Sequence, residues 1–399
     1  MNGTSKKPLA RSLVMFAMLA ALTGGRLHGT ADDNEGRVLV QLERSRTQFT
    51  TPEHWRNRRA ALREGFLRGA KLWPLPKRTP LNPIIHGRRV HEGYSVENVA
   101  LETLPGFYCT GNLYRPVGEK GPRPAILCPH GHFRPLGRMR PDQQIRCAHL
   151  ARMGAVVFSY SMVGWQDSQQ TTHDDPLVLA LQTWNSIRAL DFVSVLEEVD
   201  AHNLGATGAS GGGTQTLYLV FLDDRIQASA PAVIVYPWSW FSPGCNCETG
   251  MPVMKEPETN AVELAAAIAP RPQLIISCGL LAAGRDQKDP THNFPAVGLP
   301  FIEQVYGLMG RPEHLQSLHL EAESHDFGPS KRQAVYTFFA KHLGLKPLKE
   351  DPTTIPIEPP GTLEVFNDAH PLPPHAARGS REVTEAFERL RQMSNAENP

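Results

Sequence analysis

The stretch LGATGASGGGT, residues 204–214, determines how the chain folds. An apolar run ends just before it and a helical apolar pattern starts just after it, which predicts a tight turn from a strand to a helix. The pattern Gly-x-Ser-x-Gly within it centres on Ser210, and side chains at Gly208 or Gly212 would collide with the neighbouring strand and helix. We therefore expect a nucleophilic serine at the carboxyl edge of a sheet. A phosphate-binding loop is disfavoured because no lysine follows the glycines.

Short apolar runs alternate with helical patterns on both sides of this turn, as in strands of a parallel sheet that is buried on both faces. The predicted strands are 94–101, 107–114, 124–128, 155–160, 202–207, 228–236, 273–278 and 315–320. The predicted helices are 143–153, 177–196, 214–221, 258–268, 301–309 and 331–343. This order predicts one α/β domain with a mostly parallel central sheet and helices on both faces.

The two ends of the chain differ from this domain. In residues 1–31, cations precede a short apolar run and small residues follow it, which predicts a secretory signal peptide. We therefore expect a periplasmic or secreted protein that is not stably inserted in a membrane after cleavage. The alternative is an uncleaved anchor. Residues 32–84 predict an N-terminal helical extension, with a polar stretch first and then a helix that Thr51 can cap with Pro52 at its first position. Residues 85–346 predict the catalytic domain. Residues 347–399 predict a Pro-rich strap with a terminal helix, the alternative to the strap being a disordered tail.

Composition limits the classes of partner. The 399 residues include 41 Lys and Arg against 40 Asp and Glu, a formal charge of +1. Such a balance gives no polybasic face, so we expect no nucleic acid partner. With 41% hydrophobic residues the chain can form a sizeable core, which excludes a disordered or collagen-like chain.

A serine hydroxyl needs a base and a pair of oxyanion donors. His325 follows the last predicted strand and is the candidate base, with a surface histidine as the alternative. The loop CPHGHF, residues 128–133, follows an early strand. We assign the oxyanion hole to the backbone N–H groups of His132 and Gly211.

The six cysteines give little sign of a metal. Cys245 and Cys247 form a C-x-C pair, but no C-x-x-C accompanies them, and two histidines spaced i, i+2 on a loop are weak evidence. We therefore expect no metal and no organic cofactor.

The chain resembles the secreted bacterial α/β-hydrolases of the acetyl xylan esterase-like family. The resemblance spans roughly residues 85–345 and is carried, in order, by HEGYSVENVALETLPG, GNLYRP, PHGHF, ARMGAVVFSYSMVGW, TWNSIRALDF, TGASGGGTQT, APRP and ESHDFGPSKR. It implies the α/β-hydrolase fold and a serine esterase with a Ser-His-acid triad. The implied substrate is a small-molecule or polysaccharide ester, with acyl groups removed from plant-type polysaccharide.

The triad acid is where this chain departs from the family pattern. The acid usually follows the strand before the histidine strand, in an Asp-Trp-Thr-like segment, whereas this chain has GRDQKDP at residues 284–290. Asp286 is the first choice and Asp289 the second. Glu248, after the preceding strand, is the third, since some carbohydrate esterases place the acid there.

Several aromatic residues follow strands at the edge where open α/β sheets bind ligands. Trp165, Trp238 and Trp240 could form a sugar platform, or they could cover the core. Three rival functions remain open: a glucuronoyl esterase with Glu248 as the acid, a serine peptidase on the same fold, and a catalytically weakened carbohydrate-binding homologue.

Overall fold

The computed structural model describes residues 31–118, 121–236, 245–248, 255–281, 287–349 and 354–397. Its centre is a sheet with the strand order β1-β2-β3-β5-β4-β6-β7-β8-β9. The strands are β1 Ile84–His91, β2 Tyr94–Leu104, β3 Phe107–Pro116, β4 Arg123–Leu127, β5 Val156–Tyr160, β6 Val199–Ala209, β7 Ile226–Ala232, β8 Gln273–Leu280 and β9 Leu315–Ser324. Strands β1, β2, β3 and β5 pair antiparallel in that order, and the pairs from β5 through β4 to β9 are parallel. The predicted mostly parallel α/β sheet is confirmed.

Helices cover both faces of this sheet. They are α1 Ala31–Gln48, α2 Pro52–Gly69, α3 Pro141–Arg152, α4 Val178–Ser194, α5 Gly211–Leu222, α6 Ala261–Ala266, α7 Phe294–Val297, α8 Leu299–Leu308, α9 Pro329–Leu343, α10 Pro360–Leu363 and α11 Gly379–Glu397. Successive strand residues point to opposite faces. Leu127 accordingly packs into the cluster that holds α4 and α5, and Ile126 into the cluster that holds α3 and α9. None of the helices within the described ranges is long and apolar enough to cross a bilayer.

Besides the four-residue helices α7 and α10, the sequence pattern missed two longer elements at the periphery. Strand β1 is an edge strand whose residues are all half-buried or exposed, so it lacks the continuous apolar run that marks the inner strands. Helix α1 is strongly polar, and its buried apolar side chains are Val38 and Leu42. Both elements are held by packing against the body of the domain, which a local pattern does not show.

The N-terminal helices are joined to the domain through a buried carboxylate. Glu263 of α6 is fully buried and accepts hydrogen bonds of 2.9 and 2.8 Å from the guanidinium of Arg58 on α2. Gln41 of α1 donates a further bond of 2.7 Å to Glu263. Residues 1–30, which hold nearly all of the predicted signal peptide, lie outside the described residues.

The C-terminal segment crosses the antiparallel edge of the sheet. The Val365 carbonyl accepts a hydrogen bond of 2.8 Å from Nε2 of His86 on β1, and the Asn98 side chain on β2 donates to the Thr362 carbonyl at 3.0 Å. Helix α11 then buries Val383 and Phe387 completely. The described part of the segment, residues 354–397, therefore packs along the domain.

Candidate active site

The turn around Ser210, the candidate nucleophile, has the strained backbone that its glycines predict. Ser210 lies between β6 and α5 with φ 55° and ψ −129°, a conformation that side chains rarely adopt. Its N–H donates to the Ala232 carbonyl at 3.1 Å, which ties the turn to β7. A Cβ atom on Gly212 would lie 2.3 Å from the Pro129 oxygen, and one on Gly208 would lie 2.5 Å from the Gly212 oxygen. The strand and helix approach so closely that glycine is required, and the hydroxyl is presented at the carboxyl edge.

The candidate base meets a buried carboxylate. Nδ1 of His325, just after β9, lies 2.6 Å from Oδ2 of Asp289, and the Asp289 side chain is fully buried. Thr291 donates to the other carboxylate oxygen through its hydroxyl at 2.6 Å and its N–H at 2.8 Å. Burial by itself would raise the pKa of Asp289, but the hydrogen bonds from His325 and Thr291 outweigh it and hold the pKa below its ordinary value. The carboxylate is thus kept ionised and aimed at the imidazole.

The three acids considered from the sequence have different positions. Asp286, the first choice, lies outside the described residues. Asp289, the second choice, is the carboxylate that contacts His325. Glu248, the third, instead accepts a hydrogen bond of 3.1 Å from Thr214 of α5, and burial raises its pKa. One sequence signal favoured Asp289: with Thr291 two positions later it keeps the Asp-x-Thr spacing of the family segment.

The loop after β4 is held by a buried histidine. Nδ1 of His130 donates to the Gly131 carbonyl at 2.8 Å, and its Nε2 accepts from the Met162 N–H at 3.0 Å. Burial lowers the pKa of His130 to about 3, so the ring is neutral. A Cβ atom on Gly131 would lie 2.9 Å from Cβ of Ser210. His130 therefore fixes the loop that carries His132 directly against the serine turn.

His132 and Gly211, the residues predicted to supply the oxyanion N–H groups, are in contact. A Cβ atom on Gly211 would lie 2.8 Å from the His132 ring, so the backbone of Gly211 packs against that imidazole. Gly211 is the first residue of α5, and the first N–H groups of a helix have no partner within it. These N–H groups and the positive end of the helix dipole favour negative charge beside Ser210.

The aromatic residues singled out in the sequence fall into two groups. Trp165 is 5% exposed, and its ring packs 5.9 Å from both the His132 and the His173 rings, between centroids. This position matches the alternative in which it covers the interior. Trp238 and Trp240 lie outside the described residues.

The structure also brings together side chains that could hold a metal. The ligand atoms of His132, His173, Cys245 and Cys247 all lie within 4.8 Å of one another. The sequence singled out His132 and the cysteine pair. It did not single out His173, because this residue lies on a different loop and no local spacing connects it to the other three. The sequence had led us to expect no metal.

One solved structure resembles this chain over nearly its whole length. The methylesterase BT1017 is 36% identical to it and superposes with a TM-score of 0.81, over 92% of this chain and 81% of that one. The chain belongs to the bacterial acetyl xylan esterase-like α/β-hydrolases. This acetyl xylan esterase-like protein is accordingly a hydrolase of carboxylic esters.

More distant structures share the fold of this acetyl xylan esterase-like hydrolase. A candidate acetyl xylan esterase from Bacteroides fragilis NCTC 9343 is 18% identical with a TM-score of 0.53, over 74% of this chain and 84% of that one. A glucuronoyl esterase from Solibacter usitatus is 16% identical with a TM-score of 0.54, over 74% of this chain and 94% of that one. No protein-family model matches the sequence, and no curated protein matches it.

Proposed function

We propose that this protein is a serine esterase of carbohydrate esters, with Ser210 as nucleophile, His325 as base and Asp289 as the triad acid. The contact of 2.6 Å between His325 Nδ1 and the buried Asp289 carboxylate carries this proposal. With Nδ1 engaged, Nε2 is the ring nitrogen available to the serine. The strained turn at Ser210 supports the same assignment.

The reaction follows from these positions. His325 takes the Ser210 proton as the hydroxyl oxygen bonds to the ester carbonyl carbon, and the N–H groups of His132 and Gly211 stabilise the oxyanion. The C–O bond to the alcohol then breaks, and His325 returns the proton to the leaving alcohol. Water attacks the acyl-serine with His325 as base, which releases the acid and restores Ser210.

The first substrate candidate is a methyl ester on a uronic acid polymer. The methylesterase that is 36% identical favours a methyl ester. In the methyl ester of a uronic acid, the sugar carboxyl is the acyl group and methanol is the leaving alcohol. An exposed arginine next to the site supports an acidic polymer: Arg134, two residues after His132, lies over the Trp165 ring at 4.7 Å. Across the described ranges, Arg134 forms no ion pair with a carboxylate, so it can meet a neighbouring uronate.

The second candidate is an acetyl ester on plant-type polysaccharide, favoured by the sequence resemblance to acetyl xylan esterase-like proteins. Here the acetyl group is carried by the serine and the sugar hydroxyl leaves. In residues 1–31, cations followed by an apolar run support export, which would bring the enzyme to such polymers.

The test measures methanol from methyl-esterified polygalacturonate and acetate from acetylated xylan, with the full chain and with Ser210→Ala. We expect methanol release, and we expect Ser210→Ala to abolish it. Arg134→Gln should raise the KM for the polymer with little change in kcat. Acetate release in place of methanol would select the second candidate. The absence of both products, and of hydrolysis of a short acyl ester, would overturn the proposal and favour the weakened carbohydrate-binding homologue.

A histidine on the strand that precedes His325 provides a control. His319 of β9 contacts the Ser277 hydroxyl at 2.8 Å and Glu321 at 2.7 Å, and it has no part in the proposed chemistry. His319→Gln should keep the activity that His325→Gln loses. Equal losses in both variants would contradict the assignment of the base.

A further inference from the structure

Three loops at the carboxyl edge of the sheet converge on one cluster of nitrogen and sulfur atoms. His132 follows β4, His173 follows β5, and Cys245 and Cys247 follow β7. Nε2 of His132 lies 3.0 Å from Nε2 of His173 and 3.1 Å from Sγ of Cys247. Sγ of Cys245 lies 3.3 Å from Nε2 of His173. The four side chains therefore face a common centre.

These separations suit a tetrahedral zinc ion. Zinc bonds of about 2.0–2.1 Å to nitrogen and about 2.3 Å to sulfur place tetrahedral ligand atoms about 3.3–3.8 Å apart. The contacts of 3.0–3.3 Å in the cluster are within a few tenths of an ångström of that range, and all four ligand atoms lie within 4.8 Å of one another. Two cysteines with two histidines are a donor set typical of structural zinc.

The surroundings orient the two imidazoles as ligands. Nδ1 of His173 donates to the Val163 carbonyl at 2.7 Å, which leaves the lone pair of its Nε2 facing the cluster. Nδ1 of His132 lies 3.8 Å from a carboxylate oxygen of Glu248, so the Nδ1 side of this second ring faces a carboxylate while its Nε2 faces the cluster. Trp165 packs against both rings and shields one side from water.

We propose that His132, His173, Cys245 and Cys247 bind one Zn²⁺ ion. All four tetrahedral positions are then filled by the protein, so the ion is structural and polarises no substrate. Binding converts the two thiols to thiolates and releases their protons to solvent. This proposal replaces the sequence-based expectation of no metal.

A zinc ion bound here would position the loop that carries His132. His132 carries a proposed oxyanion N–H, and its ring packs on Gly211, the residue after the nucleophile. A bond from zinc to His132 would join this loop to the segment of Cys245 and Cys247. The metal would thus position residues 128–133, which carry the proposed oxyanion N–H of His132, without touching substrate.

The first experiment measures metal content of the full chain after reconstitution with Zn²⁺ and removal of free metal. We expect about one zinc per chain, and a large loss of zinc in Cys247→Ser and in His173→Ala. Cys109→Ala is the matched control, since Cys109 is a buried thiol of β3 outside the cluster, and it should keep its zinc. None of these measurements depends on turnover, so they remain informative if the proposed esterase chemistry fails.

A second experiment uses the unaltered chain, in case the variants do not fold. Co²⁺ in place of zinc should give the intense visible bands of tetrahedral cobalt together with thiolate charge-transfer absorption. Failure to retain zinc, a cobalt spectrum without these bands, or an intact mass showing a disulfide between Cys245 and Cys247 would overturn the proposal. Undiminished zinc in correctly folded Cys247→Ser and His173→Ala would also overturn it.

Discussion

His325 and Asp289 meet at 2.6 Å although different strands carry them to the edge of the sheet. Asp289 follows β8, and its N–H donates a hydrogen bond of 2.9 Å to the Gly279 carbonyl. The Leu281 N–H likewise donates a hydrogen bond of 2.7 Å to the Gln287 carbonyl. These two hydrogen bonds attach the residues before and at Asp289 to the end of β8, within reach of the histidine that follows β9. Of the two candidate acids that lie within the described residues, Asp289 contacts His325 whereas Glu248 bonds to Thr214, a difference that the sequence could not show.

Asp289→Asn should lower kcat on the order of 10³–10⁴-fold, because the amide cannot stabilise the charged imidazole or hold its tautomer. Steady-state kinetics on a short acyl ester will measure this loss. Glu248→Gln is the matched control and should retain activity nearer to that of the unaltered enzyme, since Glu248 bonds to Thr214. A larger loss in Glu248→Gln than in Asp289→Asn would return the acid to the earlier strand.

The stability that Asp289 contributes should depend on pH. Its folded-state pKa is held below the ordinary value of 3.8, so the unfolded chain takes up the proton first as pH falls. The contribution is therefore fully present above about pH 4 and is lost as pH falls through the folded pKa. Denaturant unfolding at several pH values should show the difference in unfolding free energy between the unaltered protein and Asp289→Asn shrinking below that pH. If the difference in unfolding free energy did not vary with pH, the folded-state pKa of Asp289 would not be lowered as expected.

Gly212→Ala should disturb the serine turn, because its Cβ atom would lie 2.3 Å from a backbone oxygen of Pro129. We expect a loss of about 1–3 kcal/mol in the free energy of unfolding, together with lower kcat. Gly307→Ala, on α8 with open space around its Cβ position, is the control and should gain about 0.5–1 kcal/mol from helix propensity. Thermal unfolding of both variants would test the contrast, and equal stabilities would count against the tight turn.

Arg58→Ala should destabilise the protein by about 3–5 kcal/mol, because it leaves the fully buried Glu263 carboxylate without its cation. Urea unfolding measures this loss. Arg68→Ala, on the same helix, breaks an exposed pair with Glu64 and should cost at most about 1 kcal/mol. If the two variants were equally stable, the N-terminal helices would not be integral to the domain.

Much of the fold was predictable because local patterns carry it. The inner strands are continuous apolar runs, and each predicted one lies within a few residues of its counterpart in the sheet. Thr51 caps α2 as predicted from its spacing to Pro52, with its hydroxyl accepting from His54 N–H at 3.2 Å. Strand β1 and helix α1 were missed because neighbours, and not their own apolar residues, stabilise them.

The sequence by itself determined the elements whose signal is local. Gly208 and Gly212 specify a tight strand-to-helix turn around Ser210, since a Cβ atom at either glycine would collide with backbone oxygens. Tertiary structure alone decided which of the described carboxylates reaches His325 and which histidines and cysteines meet beside residues 128–133. Those side chains come from loops after different strands, and the parallel sheet brings their ends to one edge irrespective of separation along the chain. Loop length and path set the final contacts, and neither follows from a local pattern.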